Sequence, residues 1–325
     1  MSALQQLQQG GTTSAPLLRI SNIQVDYNAG MAGSKASPSS TLFRRALDQV
    51  TLEIPSSGYT LGLVGESGSG KTTLGMSIMN LIEPPGRITN GTVEYQGKNV
   101  LTMRESELNS YRWKEVSMVF QSAMNSLNPV KKASDHIVEV LRAHERIPKK
   151  EAKERATKLL VDVGIPADRT EAYPHEFSGG MRQRVVIAMA LALSPKLLIA
   201  DEPTSALDVV VQRAILKLLK KKVSGSGLSF LFITHELAIL RGLVDNVAVL
   251  YAGRLVELGP AEKVLYDPLH PYTRMLVSSV LSMKSERSKL KEKSAFSEQR
   301  KEISDKLRSS DYVLKEVEKG RWVAF

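Results

Sequence analysis

The stretch "GESGSGKTT" (Gly65–Thr73) constrains this chain more than any other. Gly65 to Thr72 fits G-x-x-x-x-G-K-[ST], with the apolar run "TLGLV" before it and the helix-forming run "TTLGMSIMNLI" after it. The pattern predicts a strand, a tight loop and a helix. Glycines at Gly65, Gly68 and Gly70 let backbone N–H groups turn inward around phosphate oxygens, together with those of Ser67, Ser69 and Thr73. Lys71 then supplies a point charge to the β- and γ-phosphates, and the Thr72 hydroxyl is a ligand for Mg²⁺. This strand–loop–helix unit, with the buried apolar runs that follow it, gives the fold class as α/β.

Three further runs share the texture of "TLGLVG". "VSMVFQ" (Val116–Gln121), "LLIADE" (Leu197–Glu202) and "LSFLFITH" (Leu228–His235) are short and apolar, and each stops at a polar group. Continuous apolar runs suit strands buried on both faces, and in open α/β sheets ligands bind beyond the carboxyl ends of such strands. Gln121, Asp201, Glu202 and His235 are therefore expected at one edge with the phosphate loop. Two earlier runs, "LLRISNIQVDY" and "RALDQVTLEI", predict an antiparallel β layer near the N-terminus. Between them "NAGMAGSKASPSST" (Asn28–Thr41) reads as a loop. From Ser122 to about Ser194 apolar residues recur at helical spacing amid Lys, Arg and Glu, which predicts a helical subdomain inserted into the sheet domain.

Phosphoryl transfer needs positioning and charge neutralisation more than covalent chemistry. Asp201 can hold Mg²⁺ through its water shell, Glu202 can polarise the attacking water, and Gln121 can reach both metal and water. His235 can contact the γ-phosphate, and Tyr27 can stack on the nucleobase. Each of these residues alone has an ordinary alternative: a helix cap for the Asp-Glu pair, a structural hydrogen bond for the histidine, a core contact for the tyrosine. No [NT]-K-x-D guanine-reading motif occurs, which favours ATP. A second anion grip stands in "HEFSGGMRQRV" (His175–Val185), where Ser178, Gly179 and Gly180 precede an apolar-periodic helix. One chain thus carries two complementary half-sites that it cannot fold onto each other.

The chain has 325 residues and no cysteine, which excludes a disulfide scaffold, an iron–sulfur cluster and a cysteine zinc site within it. The longest apolar run, "VVIAMALAL", is too short to span a bilayer. The start lacks the basic and apolar regions of a signal peptide; residues 1–16 read as a flexible tail and the protein is expected to stay in the cytosol. The net charge of +10 is partly local: Leu281–Ser310 holds nine Lys/Arg against five Asp/Glu and reads as a solvated segment. The remainder favours an anionic surface, either lipid headgroups or nucleic acid.

Taken together, the motifs resemble those of the ATP-binding cassette (ABC) family over about Leu17–Asp267. Walker A is Gly65–Thr72, the Q-loop carries Gln121, "FSGGM" (Phe177–Met181) is the signature, "LLIADE" is Walker B, "SALD" (Ser205–Asp208) is the D-loop and His235 is the switch histidine. The resemblance implies a P-loop ATPase core with an N-terminal antiparallel β subdomain, a helical insert and a C-terminal extension over 268–325. It also implies that two cassettes pack head to tail, so that Ser178 and Gly180 serve the neighbour's ATP and Asp208 sits at the seam. "QSAMNSLNPV", "HPYT" (His270–Thr273) and the closing "EKGRWVAF" are similar to the dipeptide, oligopeptide and nickel importer group. Many members of that group carry clustered cysteines in the extension; their absence here implies no iron–sulfur cluster.

The resemblance implies an ATP- and Mg²⁺-dependent import ATPase at the cytoplasmic face of the cell membrane. Its partners would be a second, homologous but non-identical cassette, two transmembrane permeases and, indirectly, an extracytoplasmic binding protein, with no nucleic acid. The alternatives are an exporter cassette and a soluble ABC ATPase acting on nucleic acid or ribosomes. The latter predicts tandem cassettes, long heptads or zinc cysteines, which this sequence lacks.

Overall fold

The computed structural model describes residues 15–28, 43–224, 227–281 and 313–325. The expected N-terminal tail, the Asn28–Thr41 loop and the basic Leu281–Ser310 run lie outside these residues, apart from their margins. Two compact units emerge: Met1–Ser56 with Thr60–Thr102 and Ile233–Phe325, and Ser57–Tyr59 with Met103–Phe232.

The first unit opens with β1 (Leu18–Asn28) and β2 (Phe43–Ile54), then β3 (Thr60–Val64), α1 (Lys71–Ile78), β4 (Gly86–Tyr95) and β5 (Lys98–Asn99). β1 lies between β2 and β4, antiparallel to both, in a four-stranded sheet of order β2-β1-β4-β5. Along β1, Leu18, Ile20, Ile23 and Val25 are fully buried while intervening residues are more open, the alternation of a sheet with one face in a core. β3 differs: all five of its residues are buried, as a strand covered on both faces requires.

The second unit contains α2 (Glu105–Tyr111), β6 (Val116–Val119), α3 (Ala133–His144), α4 (Lys149–Asp162), α5 (Gly179–Leu191), β7 (Leu197–Asp201), α6 (Val209–Val223) and the start of β8 (Ser229–Thr234). β6 and β7 pair in parallel, with Val116 opposite Leu197 and Val119 opposite Ala200, and β8 neighbours β7. All residues of these three strands are buried. Helices α3 and α4 carry the expected helical texture: Ile137, Val140 and Leu141 face inward on one, Ala152, Ala156 and Leu160 on the other.

The chain returns to the first unit within β8 and continues through α7 (Leu237–Leu240), β9 (Asn246–Tyr251), β10 (Arg254–Pro260), α8 (Ala261–Tyr266), α9 (Pro271–Leu281), β11 (Leu314–Glu318) and β12 (Arg321–Ala324). β3 pairs in parallel with β9; β10 then pairs antiparallel with β9 and β12, and β11 completes the edge. The closing "EKGRWVAF" is thus a hairpin joined to this sheet. No helix among the described residues is long and apolar enough to cross a membrane.

Candidate nucleotide site

The phosphate loop connects β3 to α1. Gly68 and Gly70 have φ of +80° and +104°, a region open to glycine and strained for other residues. A side chain at Gly65 would put its Cβ 2.1 Å from the Leu250 carbonyl oxygen, and one at Gly70 2.5 Å from that of Ala46. The backbone is therefore packed from behind, leaving its front for a ligand. Gly70 precedes α1 without any side-chain cap, and the first turn holds no acidic residue, so the N-terminal N–H groups suit an anion. Ser69 is buried, and its hydroxyl has no hydrogen-bond partner among the described residues. Lys71 is 6% exposed and its ammonium donates to the carbonyls of Gly65 and Glu66, both at 2.9 Å. Thr72 is exposed and Thr73 half-buried on the same first turn. A glycine cradle, an orphan hydroxyl and a lysine held at the loop fit a polyphosphate.

Tyr27 lies near the end of β1 opposite Gly86 of β4 and Arg44 of β2. Its ring covers Gly86, where a Cβ would meet the ring at 2.6 Å; tyrosine and glycine thus share one pleat. His235 is exposed just beyond β8. The phosphate loop, Tyr27 and His235 belong to the first unit.

In the second unit, β7 delivers Asp201, which is 1% exposed, and the chain turns sharply at Glu202 with φ of +45°. A non-glycine residue in the left-handed region is held there by its surroundings. Here the Glu202 carbonyl accepts from the Ser205 N–H at 3.3 Å and from its hydroxyl at 3.2 Å. The Glu202 carboxylate accepts a 2.9 Å hydrogen bond from the Gln121 amide. Two residues 81 positions apart are thereby brought together at the ends of β6 and β7.

Ser178 is the exposed N-cap of α5, its hydroxyl accepting from the Met181 N–H at 3.3 Å. Asp208 caps α6 by accepting from the N–H groups of Val210 and Val211, both at 3.0 Å. Gly180 is needed for close approach: a Cβ there would lie 2.3 Å from Val211. A cleft of about 560 Å³ opens beside these two helix starts, lined by Gly164, Asp168, Ser178, Arg184 and Val210 among others.

A relation that sequence reasoning missed concerns "HPYT". Tyr272 is fully buried and its hydroxyl accepts from the Glu66 N–H of the phosphate loop at 3.0 Å. His270 Nδ1 accepts from the Tyr272 N–H at 3.1 Å at the start of α9, and the His270 backbone N–H donates to the Glu257 carboxylate at 3.0 Å. A backbone N–H can only donate, so Nδ1 is unprotonated; burial pushes the imidazole pKa down to about 4. The signal was available as a polar, aromatic cluster after an apolar core, but nothing in the spacing told what it would touch.

Comparison with known proteins decides the relationship. The ABC transporter family matches residues 47–205, and the family described as oligopeptide/dipeptide transporter, C-terminal region, matches residues 256–305. A putative peptide import ATP-binding protein of Brucella abortus is 42% identical over 269 residues, 82% of this chain and 78% of its own length. The chain belongs to the ABC transporter family. This cassette is also 51% identical over 231 residues to the oligopeptide transport ATP-binding protein OppD of Bacillus subtilis, covering 70% of the chain and 64% of the relative. The peptidoglycan transport ATP-binding protein YejF of Agrobacterium fabrum is 44% identical over 271 residues, 82% of the chain and 48% of the relative. The match therefore spans less than two thirds of the length of these two relatives. Among solved structures, the dimeric bacterial ABC transporter cassette MJ0796 aligns with a TM-score of 0.65 at 28% identity, covering 75% of this cassette and 98% of that chain. The fold expected from the phosphate loop is the fold of this family.

Proposed function

We propose that this cassette is the ATP-hydrolysing subunit of a membrane importer for dipeptides or oligopeptides. The observation that carries the reading is the pairing, in one chain, of a glycine-cradled phosphate loop with the oligopeptide/dipeptide transporter C-terminal region at 256–305. The names of its relatives, oligopeptide transport and peptide import ATP-binding proteins, support the cargo class.

In this reading Gly65 to Thr73 cradle the phosphates, with Lys71 leaving its carbonyl seat to meet them and Tyr27 supporting the base. Thr72, Gln121 and Asp201 form the donor set for Mg²⁺; hydroxyl, amide and carboxylate oxygens match that hard cation. Bound Mg²⁺ would neutralise charge on the transferring phosphoryl group. Glu202 acts as general base towards the attacking water, and Gln121 orients its carboxylate through their hydrogen bond. His235 contacts the γ-phosphate. Ser178, Gly179 and Gly180 close on the triphosphate held by a second cassette, and Asp208 lies at the seam between the two. That cassette is a homologous, non-identical chain; two permeases and, through them, an extracytoplasmic binding protein complete the assembly at the cytoplasmic face of the membrane. Residues 17–267 form the cassette domain, with a helical subdomain over about 122–194, and 268–325 its extension.

Detergent purification of this chain from its own membranes tests the reading. The expected result is co-purification with two permeases and a second cassette, and ATP hydrolysis stimulated by a peptide-loaded binding protein. Recovery with nucleic acid or ribosomes in place of membrane subunits would overturn it.

A further inference from the structure

We propose that Tyr272 is a positioning residue for the phosphate loop: it holds the plane of the Gly65–Glu66 peptide, and with it the backbone cradle that receives the phosphates. The inference rests on the reading of that loop as a nucleotide site. The geometry is confined to a single peptide group. The Gly65 carbonyl accepts from the Lys71 ammonium at 2.9 Å, and the N–H of the same peptide unit, that of Glu66, donates to the Tyr272 hydroxyl at 3.0 Å. The next carbonyl, that of Glu66, accepts from Lys71 at 2.9 Å and from the Ser69 N–H at 3.1 Å. Rotation of the Gly65–Glu66 plane would move the N–H and the carbonyl together, so holding one end holds the other.

Tyr272 is itself held firmly. It is 0% exposed, its ring packs on Tyr251 with centroids 4.2 Å apart, and its backbone N–H is tied to His270. Proline at position 271 starts α9, where a missing N–H costs nothing. Nothing in the ring packing requires a hydroxyl; phenylalanine would fill the same space. The oxygen is what reaches the loop. A helix in the part of the chain matched to the oligopeptide/dipeptide transporter C-terminal region thus contributes an atom to the phosphate loop's rear.

The test is Tyr272→Phe in the full chain, with Thr273→Val as its control. Thr273 is equally buried and its hydroxyl has no partner among the described residues, so its replacement removes a neighbouring hydroxyl without touching the loop. Tyr272→Phe is expected to raise the Kd for mant-ADP about three- to tenfold, the scale of one neutral hydrogen bond. It should also speed amide exchange over the loop in the ligand-free chain, while Thr273→Val matches wild type in both. If Tyr272→Phe retains wild-type affinity and wild-type exchange, Tyr272 is only a core residue and the inference falls. Should wild-type chain fail to bind mant-ADP, the nucleotide reading fails instead, and the exchange measurement still decides whether Tyr272 positions the loop.

Discussion

Arg321 donates from Nη2 to Glu257 Oε1 at 3.1 Å across 64 positions of sequence, and neither side chain is more than 1% exposed. Glu257 Oε1 also accepts from the Leu269 N–H at 3.1 Å, and the Arg321 guanidinium also donates to the Asp267 carbonyl. The pair ties β12 to β10 and to the turn before α9. Arg321→Met leaves a buried carboxylate without its cation, so we expect a loss of about 3–5 kcal/mol and a clear fall in the thermal midpoint. The double variant Glu257→Gln with Arg321→Met should recover much of that loss, because both charges go together. Thermal unfolding of Arg321→Met, Glu257→Gln and the double variant checks it; additive losses in the double variant would refute the coupling.

His270 makes acid stability a readout of the same region. Its folded pKa of about 4 lies below the ordinary 6.5, so the unfolded chain takes up a proton that the fold resists. The contribution of this site is complete above pH 6.5, declines as pH falls towards 4 and is gone below it, a change of up to about 3 kcal/mol. His270→Asn keeps an acceptor for the Tyr272 N–H but has no proton to gain. Urea titrations between about pH 7 and 4 should show a shallower acid decline for the variant than for wild type.

Much of this architecture is legible in the residues alone. "TLGLV", "VSMV", "LLIAD" and "SFLFIT" are buried strands because an unbroken apolar run tolerates only a doubly covered position. The antiparallel layer shows through the alternation in β1. The hairpin of β11 and β12 and its buried Arg321 are not legible as a sheet extension. A short apolar run gives no direction, and a pair 64 residues apart leaves no periodic trace. The same holds for Tyr272, whose partner is a backbone N–H and therefore invisible in side-chain patterns. For the candidate site, residue types and strand ends mark Gln121 and Glu202, while their mutual hydrogen bond requires the fold.

Glu202→Gln preserves the backbone turn and removes only the carboxylate charge of the proposed base. We expect ATP hydrolysis in the assembled transporter to fall by about 10²- to 10⁴-fold, with nucleotide affinity within about threefold of wild type. Steady-state turnover and equilibrium nucleotide binding measure the two quantities separately. Native turnover in this variant would remove Glu202 from the base's role.

Gly65→Ala tests the rear wall of the loop. Its Cβ would sit 2.1 Å from the Leu250 carbonyl oxygen, a backbone atom on β9 that cannot move without its strand. We expect a loss of about 1–3 kcal/mol from overpacking and a failure of mant-ADP binding. Calorimetry and fluorescence titration check the two effects; full affinity in a stably folded Gly65→Ala chain would contradict the packing.

Asp208 allows its cap to be separated from its proposed place at the seam. Asp208→Ala removes the acceptor for two N–H groups of α6 and should cost about 1 kcal/mol, whereas Asp208→Asn should restore most of that stability. If the seam needs the charge as well, Asp208→Asn will unfold like wild type yet hydrolyse ATP more slowly in the paired assembly. Equal hydrolysis by Asp208→Asn and wild type would confine the residue to capping.

The ammonium of Lys71, already satisfied by two carbonyl oxygens, sets an admission threshold for the loop. An incoming anion must offer more than those oxygens give before the side chain swings out to it.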